Sequence, residues 1–205
     1  MAGAAIRKER RPRDTSKAAS RVAILDAARR VAARDGARDM SLRGVAAEAG
    51  FAPAALYGYF RNKDELLLAL AADDLSSLAR AMRDAGGPSA DGMSSGGLAG
   101  VGAAALDLLR GAETMAAASA ALSGISPDGR NGDAERLFNG RLIAALKALS
   151  DASGLPANNR ESQCDVVLVA SALAGLALLS RSGRLKALGF TPEEMIARLD
   201  GRFRA

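Results

Sequence analysis

Histidine is absent from this 205-residue chain. Its absence removes the commonest general base and the commonest zinc ligand together. Carboxylate or lysine chemistry stays open, but an enzyme is not the expected reading. Cysteine occurs once, as Cys164, so no internal disulfide can form and no metal site can be built mainly from thiolates. A solitary thiol of this kind is expected to be inert and buried, and neither a metal nor a cofactor is expected. Tryptophan is missing and aromatics make up only 3% of the residues. No apolar run reaches the roughly 18 to 20 residues of a membrane-crossing helix, the longest being "VVLVASALAGLALLS", residues 166–180, which reads as a buried helix. The first residues carry charges where a secretory signal needs an apolar stretch, so a cytoplasmic protein without a membrane partner is expected.

The charge that is present is unevenly placed. Residues 1–21 hold seven Lys and Arg against two acidic residues, an excess equal to the net +5 of the whole chain. The remainder is therefore balanced, and residues 1–16 are expected to be a flexible basic arm suited to phosphate contact. Apolar positions recur at helical spacing and strand-like alternation is hard to find, so the fold class is all-α. Val22, Leu25, Ala28 and Ala32 mark the inner face of a first helix that Gly36 can end. Ser41 suits the N-cap of a short second helix, Pro53 the first position of a third, and Asn62 with Glu65 the start of a long fourth. The Gly/Ser-rich segment 85–97 reads as a flexible connection. Beyond it, helices are expected near 98–110, 112–123, 133–152, 160–182 and 192–203, the last capped by Thr191. The stretch between the last two is expected to be a break.

The scarce aromatics are concentrated in "AGFAPAALYGYFRNKDELL", residues 49–67, which contains both tyrosines of the chain. Small and turning residues stand where two steeply crossing helices need them: Ala46 at the closest approach, and Gly50 where the chain leaves the second helix with positive φ. Phe51, Leu56 and Phe60 are expected to form core. With Leu56 inside, Ala54 and Gly58 point most directly outward, flanked by Ala55 and Tyr57. Such a bare outer face lets a helix lie against the floor of a DNA major groove.

The segment "ILDAARRVAARDGARDMSLRGVAAEAGFAPAALYGYFRNKDELLLAL" resembles the DNA-binding region of the TetR family of transcriptional regulators. The resemblance covers about Arg21 to Leu70, roughly a quarter of the chain. It implies a three-helix helix-turn-helix DNA-binding domain, residues 17–62, joined by a long fourth helix to a C-terminal ligand-binding and dimerising bundle within residues 63–205. It also implies that Arg43, Pro53, Ala54, Ala55, Tyr57, Gly58, Tyr59 and Lys63 form the DNA-contacting set. Within it Arg43 and Tyr57 would reach bases, while Tyr59 and Lys63 would meet the backbone. Ala52 stands where a capping residue is usual, and Gly58 is expected inside the third helix, so that helix is expected to be mobile until DNA orders it.

The partners implied are a double-stranded palindromic operator, a second copy of the chain and a small-molecule effector that releases a repressor. Beyond the region of resemblance the residues speak softly. Met115, Ser119, Leu122, Phe138 and Leu142 are the candidate effector contacts, in a mostly apolar setting with a few hydroxyls. Val166, Val169, Leu173, Leu176 and Leu179 are the candidate dimer contacts, with helices 160–182 and 192–203 forming a four-helix interface. The competing readings are a DNA-anchored helical-bundle enzyme or protein-interaction module, and a nonspecific nucleic-acid binder that uses the basic arm alone.

Overall fold

The computed structural model describes residues 12–87, 97–111 and 132–203. Among these, nine helical segments and no strand are found. The chain divides into two compact units, Met1–Leu66 and Leu67–Ala205.

In the first unit, α1 spans Pro12–Asp35. It begins earlier than the composition suggests: residues 12–16, assigned above to the arm, are helical. Pro12 opens the helix at a position where its missing N–H costs nothing. The buried face runs through Ile24, Ala28 and Val31, with Ala27 beside them, which is the i, i+4, i+7 stripe of a helix. Val22, expected on that face, is 59% exposed, because it lies about two residues, or roughly 200°, round the helix from Ile24. Gly36 ends α1 with φ +86° and its N–H donates to the Ala32 carbonyl at 2.9 Å.

Helix α2 spans Leu42–Glu48, and the Ser41 hydroxyl accepts from the Gly44 N–H at 3.1 Å, as an N-cap should. Ala46 is fully buried. Gly50 turns the chain with φ +72°, after which the Phe51 N–H returns to the Ala46 carbonyl at 2.8 Å. Helix α3 is only Pro53–Leu56, and α4 spans Lys63–Gly86. Asn62 Oδ1 accepts from the Glu65 N–H at 2.7 Å, while Glu65 reaches back to the Arg61 N–H at 2.7 Å. The start of α4 is thus capped reciprocally, one residue wider than the usual box.

Helix α4 carries the chain into the second unit, where Leu67 to Ala72 are all buried in sequence. The other elements of this unit are α5 (Leu98–Gly111), α6 (Gly132–Ser153), α7 (Arg160–Arg181), α8 (Arg184–Ala187) and α9 (Pro192–Phe203). Helix α5 packs against α6, α7 and α9. Gly102 makes its approach to α9 possible, since a Cβ there would stand 3.1 Å from Ile196 Cγ2. At the end of α4, a Cβ on Gly86 would fall 2.6 Å from that of Ala152 on α6, so that contact also needs glycine.

Asn159 and Ser162 form a capping box on α7, and Thr191 with Glu194 does the same for α9 at 2.8 and 3.2 Å. The expected break before α9 contains α8, held by the burial of Leu185 between the positive-φ glycines Gly183 and Gly189. Helix α7 is long and apolar enough to cross a membrane by length and composition alone. Here Val169 and Leu173 are packed into the bundle. The helix expected over 112–123 lies outside the described residues.

Candidate nucleic-acid interface

Leu56 and Phe60 are both wholly buried, and these two anchors fix everything around them. The N–H groups of Gly58 and Tyr59 bond to the carbonyls three residues back, at 3.1 and 2.9 Å. The helix therefore tightens after Leu56 into a turn rather than continuing. Gly58 consequently lies beyond α3, not inside it, and the expected interior-helix penalty does not apply. A Cβ at Gly58 would stand 3.2 Å from the Ala55 carbonyl oxygen, so the tight turn favours glycine there. Ala52 occupies the N-cap of α3 without a side-chain bond.

The outward surface is the one the spacing predicts. Ala52, Pro53, Ala54, Ala55 and Gly58 are exposed, and Tyr57 is 52% exposed among them. Tyr59 is half-buried and meets Phe51 edge-on, with ring centres 6.2 Å apart, so the two aromatics brace each other behind the turn. Arg43, in the first turn of α2, is exposed. Lys63, at the first position of α4, donates its Nζ–H to the Arg38 carbonyl. That bond ties the α1–α2 connection to the start of α4, so any phosphate contact must share this ammonium.

Two positioning features of the unit were not anticipated. Arg21 stacks its guanidinium 4.4 Å over the Phe60 ring. Its pKa is lowered by burial, against which the Glu65 carboxylate acts. The second is a clamp between α1 and α2: Arg30 Nε and Arg34 Nη1 donate to the two oxygens of Glu48 at 2.7 and 3.2 Å. Hydrogen bonds from Arg30 and then Arg34 hold the Glu48 carboxyl below its ordinary value. Asp35, bonded to Arg34, is lowered in the same way, and Arg34 is raised. The signal for this clamp was the i, i+4 spacing of Arg30 and Arg34 on the polar side of α1.

The second unit departs further from expectation. Met115, Ser119 and Leu122 lie outside the described residues. Phe138 is core, 5% exposed, while Leu142 lines an apolar cleft of about 110 Å³. Of the candidate dimer contacts, Val166, Val169, Leu173 and Leu176 are buried within their own chain and Leu179 is half-buried. They form the inner face of α7, whereas Val167, Leu168 and Leu178 are the exposed ones. An apolar helix with no polar stripe gives no cue as to which side turns inward. Cys164 is exposed rather than buried, because it falls on the outer side of α7. Among the described residues, no cluster of three or more acidic or thiol groups could hold a metal ion.

Residues 24–70 match the family model for bacterial regulatory proteins of the tetR family. No curated protein matches the chain significantly. Solved structures do. A TetR transcriptional regulator from Rhodococcus sp. RHA1 is 21% identical, with a TM-score of 0.64 over 92% of this chain and 97% of that one. A TetR-family transcriptional regulator from Streptomyces coelicolor is 21% identical, with a TM-score of 0.56 over 91% and 94%. The fatty acid degradation regulator FadR from Bacillus halodurans is 16% identical, with a TM-score of 0.56 over 95% of each chain. At these identities the structural likeness establishes the fold, and the match over residues 24–70 adds the identity of the first unit. The chain is a DNA-binding transcriptional regulator whose N-terminal helix-turn-helix unit is that of the tetR family.

Proposed function

We propose that the protein is a homodimeric repressor that occupies a palindromic operator and leaves it when a small molecule enters the C-terminal bundle. The observation that carries the reading is the bare face of Pro53, Ala54, Ala55 and Gly58 around the exposed ring of Tyr57. Methyl and methylene groups on that face can touch thymine methyls, and the Tyr57 hydroxyl can reach a base edge or phosphate. Arg43 is the side chain for guanine, whose O6 and N7 suit the guanidinium fork. Tyr59 and Lys63 serve the phosphate backbone. The DNA-binding domain in this reading is residues 17–62, and residues 63–205 receive the effector and the second copy.

Dimerisation is assigned to the outer face of α7, where Val167, Leu168 and Leu178 are exposed. This face replaces the inward set read from the sequence. A twofold pair of recognition turns reads half-sites about one helical turn apart, or a multiple of that. The effector acts by favouring a state in which that spacing is wrong, with α4 as the connecting element.

The test is selection of bound duplexes from random DNA, followed by a screen for compounds that release the selected sequence. Enrichment of one palindrome that persists as salt rises supports the reading. Retention of all sequences alike, lost uniformly with salt, would leave only charge-driven binding.

A further inference from the structure

Helix α1 begins well before its core does. It opens at Pro12, whereas the first buried residue described on it is Ile24. The buried stripe of Ile24, Ala28 and Val31 continues towards the N-terminus at helical steps through positions 21, 17 and 13, which are Arg21, Lys17 and Arg13. The side of α1 that is apolar within the unit is therefore basic beyond it. Asp14 is the one acidic residue between Pro12 and Ile24, so three cations stand against one anion there.

Arg21 fixes where this stripe points. Its guanidinium stacks 4.4 Å from the centre of the Phe60 ring, and Phe60 closes the turn that carries Tyr57 and Tyr59. Arg30 and Arg34 lie roughly 180° and 220° round the helix from Arg21, where Glu48 of α2 engages both. The cations on the α2 side of α1 are thus already partnered within the protein. Lys17 is exposed on the Phe60 side, one turn beyond Arg21. A projecting cationic face suits a polyanion. The stretch of helix from position 13 to 21 spans about 12 Å, the length of about three phosphates along one DNA strand.

We infer that the first turns of α1 form a rigid basic spur along the phosphate backbone beside the groove that the Tyr57 face enters. Lys17 and Arg13 grip phosphates, and Arg21 holds the spur in register with the recognition turn. The inference rests on the groove reading of the Tyr57 face and adds a second contact to it. Unlike a flexible basic arm, the spur acts through its helix as well as its charge. Phosphates carry no sequence, so it strengthens binding to every duplex alike.

Anisotropy titrations of the full-length protein on a selected operator and its variants, across salt concentrations, test this. Lys17→Gln is expected to lower the slope of log affinity against log salt by about 0.9 per bound subunit, with the same fold-loss on every variant. Asp14→Asn, which removes the opposing charge, is expected to tighten binding. Ala19→Pro keeps every charge but breaks α1 between Lys17 and Arg21, where proline can serve as the first residue of the helix beyond. It is expected to lose at least as much affinity as Lys17→Gln while melting at the parent's temperature. Should Ala19→Pro not fold, the milder pair Ala18→Gly and Ala19→Gly carries the same test. Parent-like affinity in a folded helix-breaking variant would show a flexible arm and overturn the spur. So would an unchanged salt slope in Lys17→Gln, no tightening in Asp14→Asn, or a loss that differs between sequences. The two readings separate: sequence preference with none of these effects removes the spur alone, whereas these effects in a protein that favours no sequence leave the spur and remove the groove reading.

Discussion

The two units use one alanine-rich composition to opposite ends. In Met1–Leu66 a few large side chains, Ile24, Val31, Val45, Leu56 and Phe60, are sealed to 1% exposure or less, and the small residues are spent on close helix crossing and on a bare outer face. In Leu67–Ala205 the small residues leave space, as an apolar cleft between helices, and leucines and valines are exposed on the outside. A unit with an open apolar cleft and an exposed apolar face has surface on which to accept a ligand and a partner.

The largest expected effect is on the packed side of that comparison. Phe60→Ala removes the ring beneath Arg21 and should destabilise the first unit by about 3–5 kcal/mol. DNA binding should be lost while amide protection in α5 and α7 persists, as hydrogen exchange would show. If both units melted together, the division between them would have no energetic meaning. Next in size is Arg43→Ala, at an exposed position. It should change stability by less than about 0.5 kcal/mol yet cost about 1–3 kcal/mol of operator binding and relax the preference at one base pair. Binding titrations across operator variants measure this, and an equal loss on every variant would mean that Arg43 only grips phosphate.

Smaller again is Ala52→Ser, which supplies the missing cap of α3 for about 1 kcal/mol at most. Hydrogen exchange at residues 55–60 should slow in the free protein and change little in the DNA complex. Equal slowing in both would show that the turn is not ordered by DNA. The smallest effect belongs to Glu48. Its folded-state pKa lies below the ordinary value, so the stability it contributes is present above pH 4.5 and is lost as pH falls through the folded value. Glu48→Gln should therefore be slightly less stable than the parent at neutral pH, and the difference should shrink in acid. Thermal melts across pH 3–7 follow this, and a gap that widened in acid would contradict the clamp.

Most helix boundaries were legible because local chemistry sets them: Ser41, Gly50, Pro53, Asn62 and Thr191 each satisfy or end a helix within a few residues of themselves. What the sequence hid was decided by distant packing. The length of α3 is cut short because Leu56 and Phe60 must both enter the core. The buried side of α7 cannot be read from a helix that is apolar all round, so Val166 and Val169 lie inside and Cys164 outside, against the expectation from the sequence. The α8 turn depends on burying the single side chain Leu185, too little signal for periodicity to register. The exposed face around Tyr57 was legible for the opposite reason, since its small residues and its tyrosine sit at fixed steps from one buried leucine.

Everything rests on the face around Tyr57 lying in the major groove, and dimethyl sulfate protection of a selected operator asks this directly, because guanine N7 is exposed only there. Protection of guanines in two major grooves on one side of the duplex, lost on one base pair per half-site with Arg43→Ala, is the expected result. An operator bound at full affinity with every guanine N7 still reactive would contradict it.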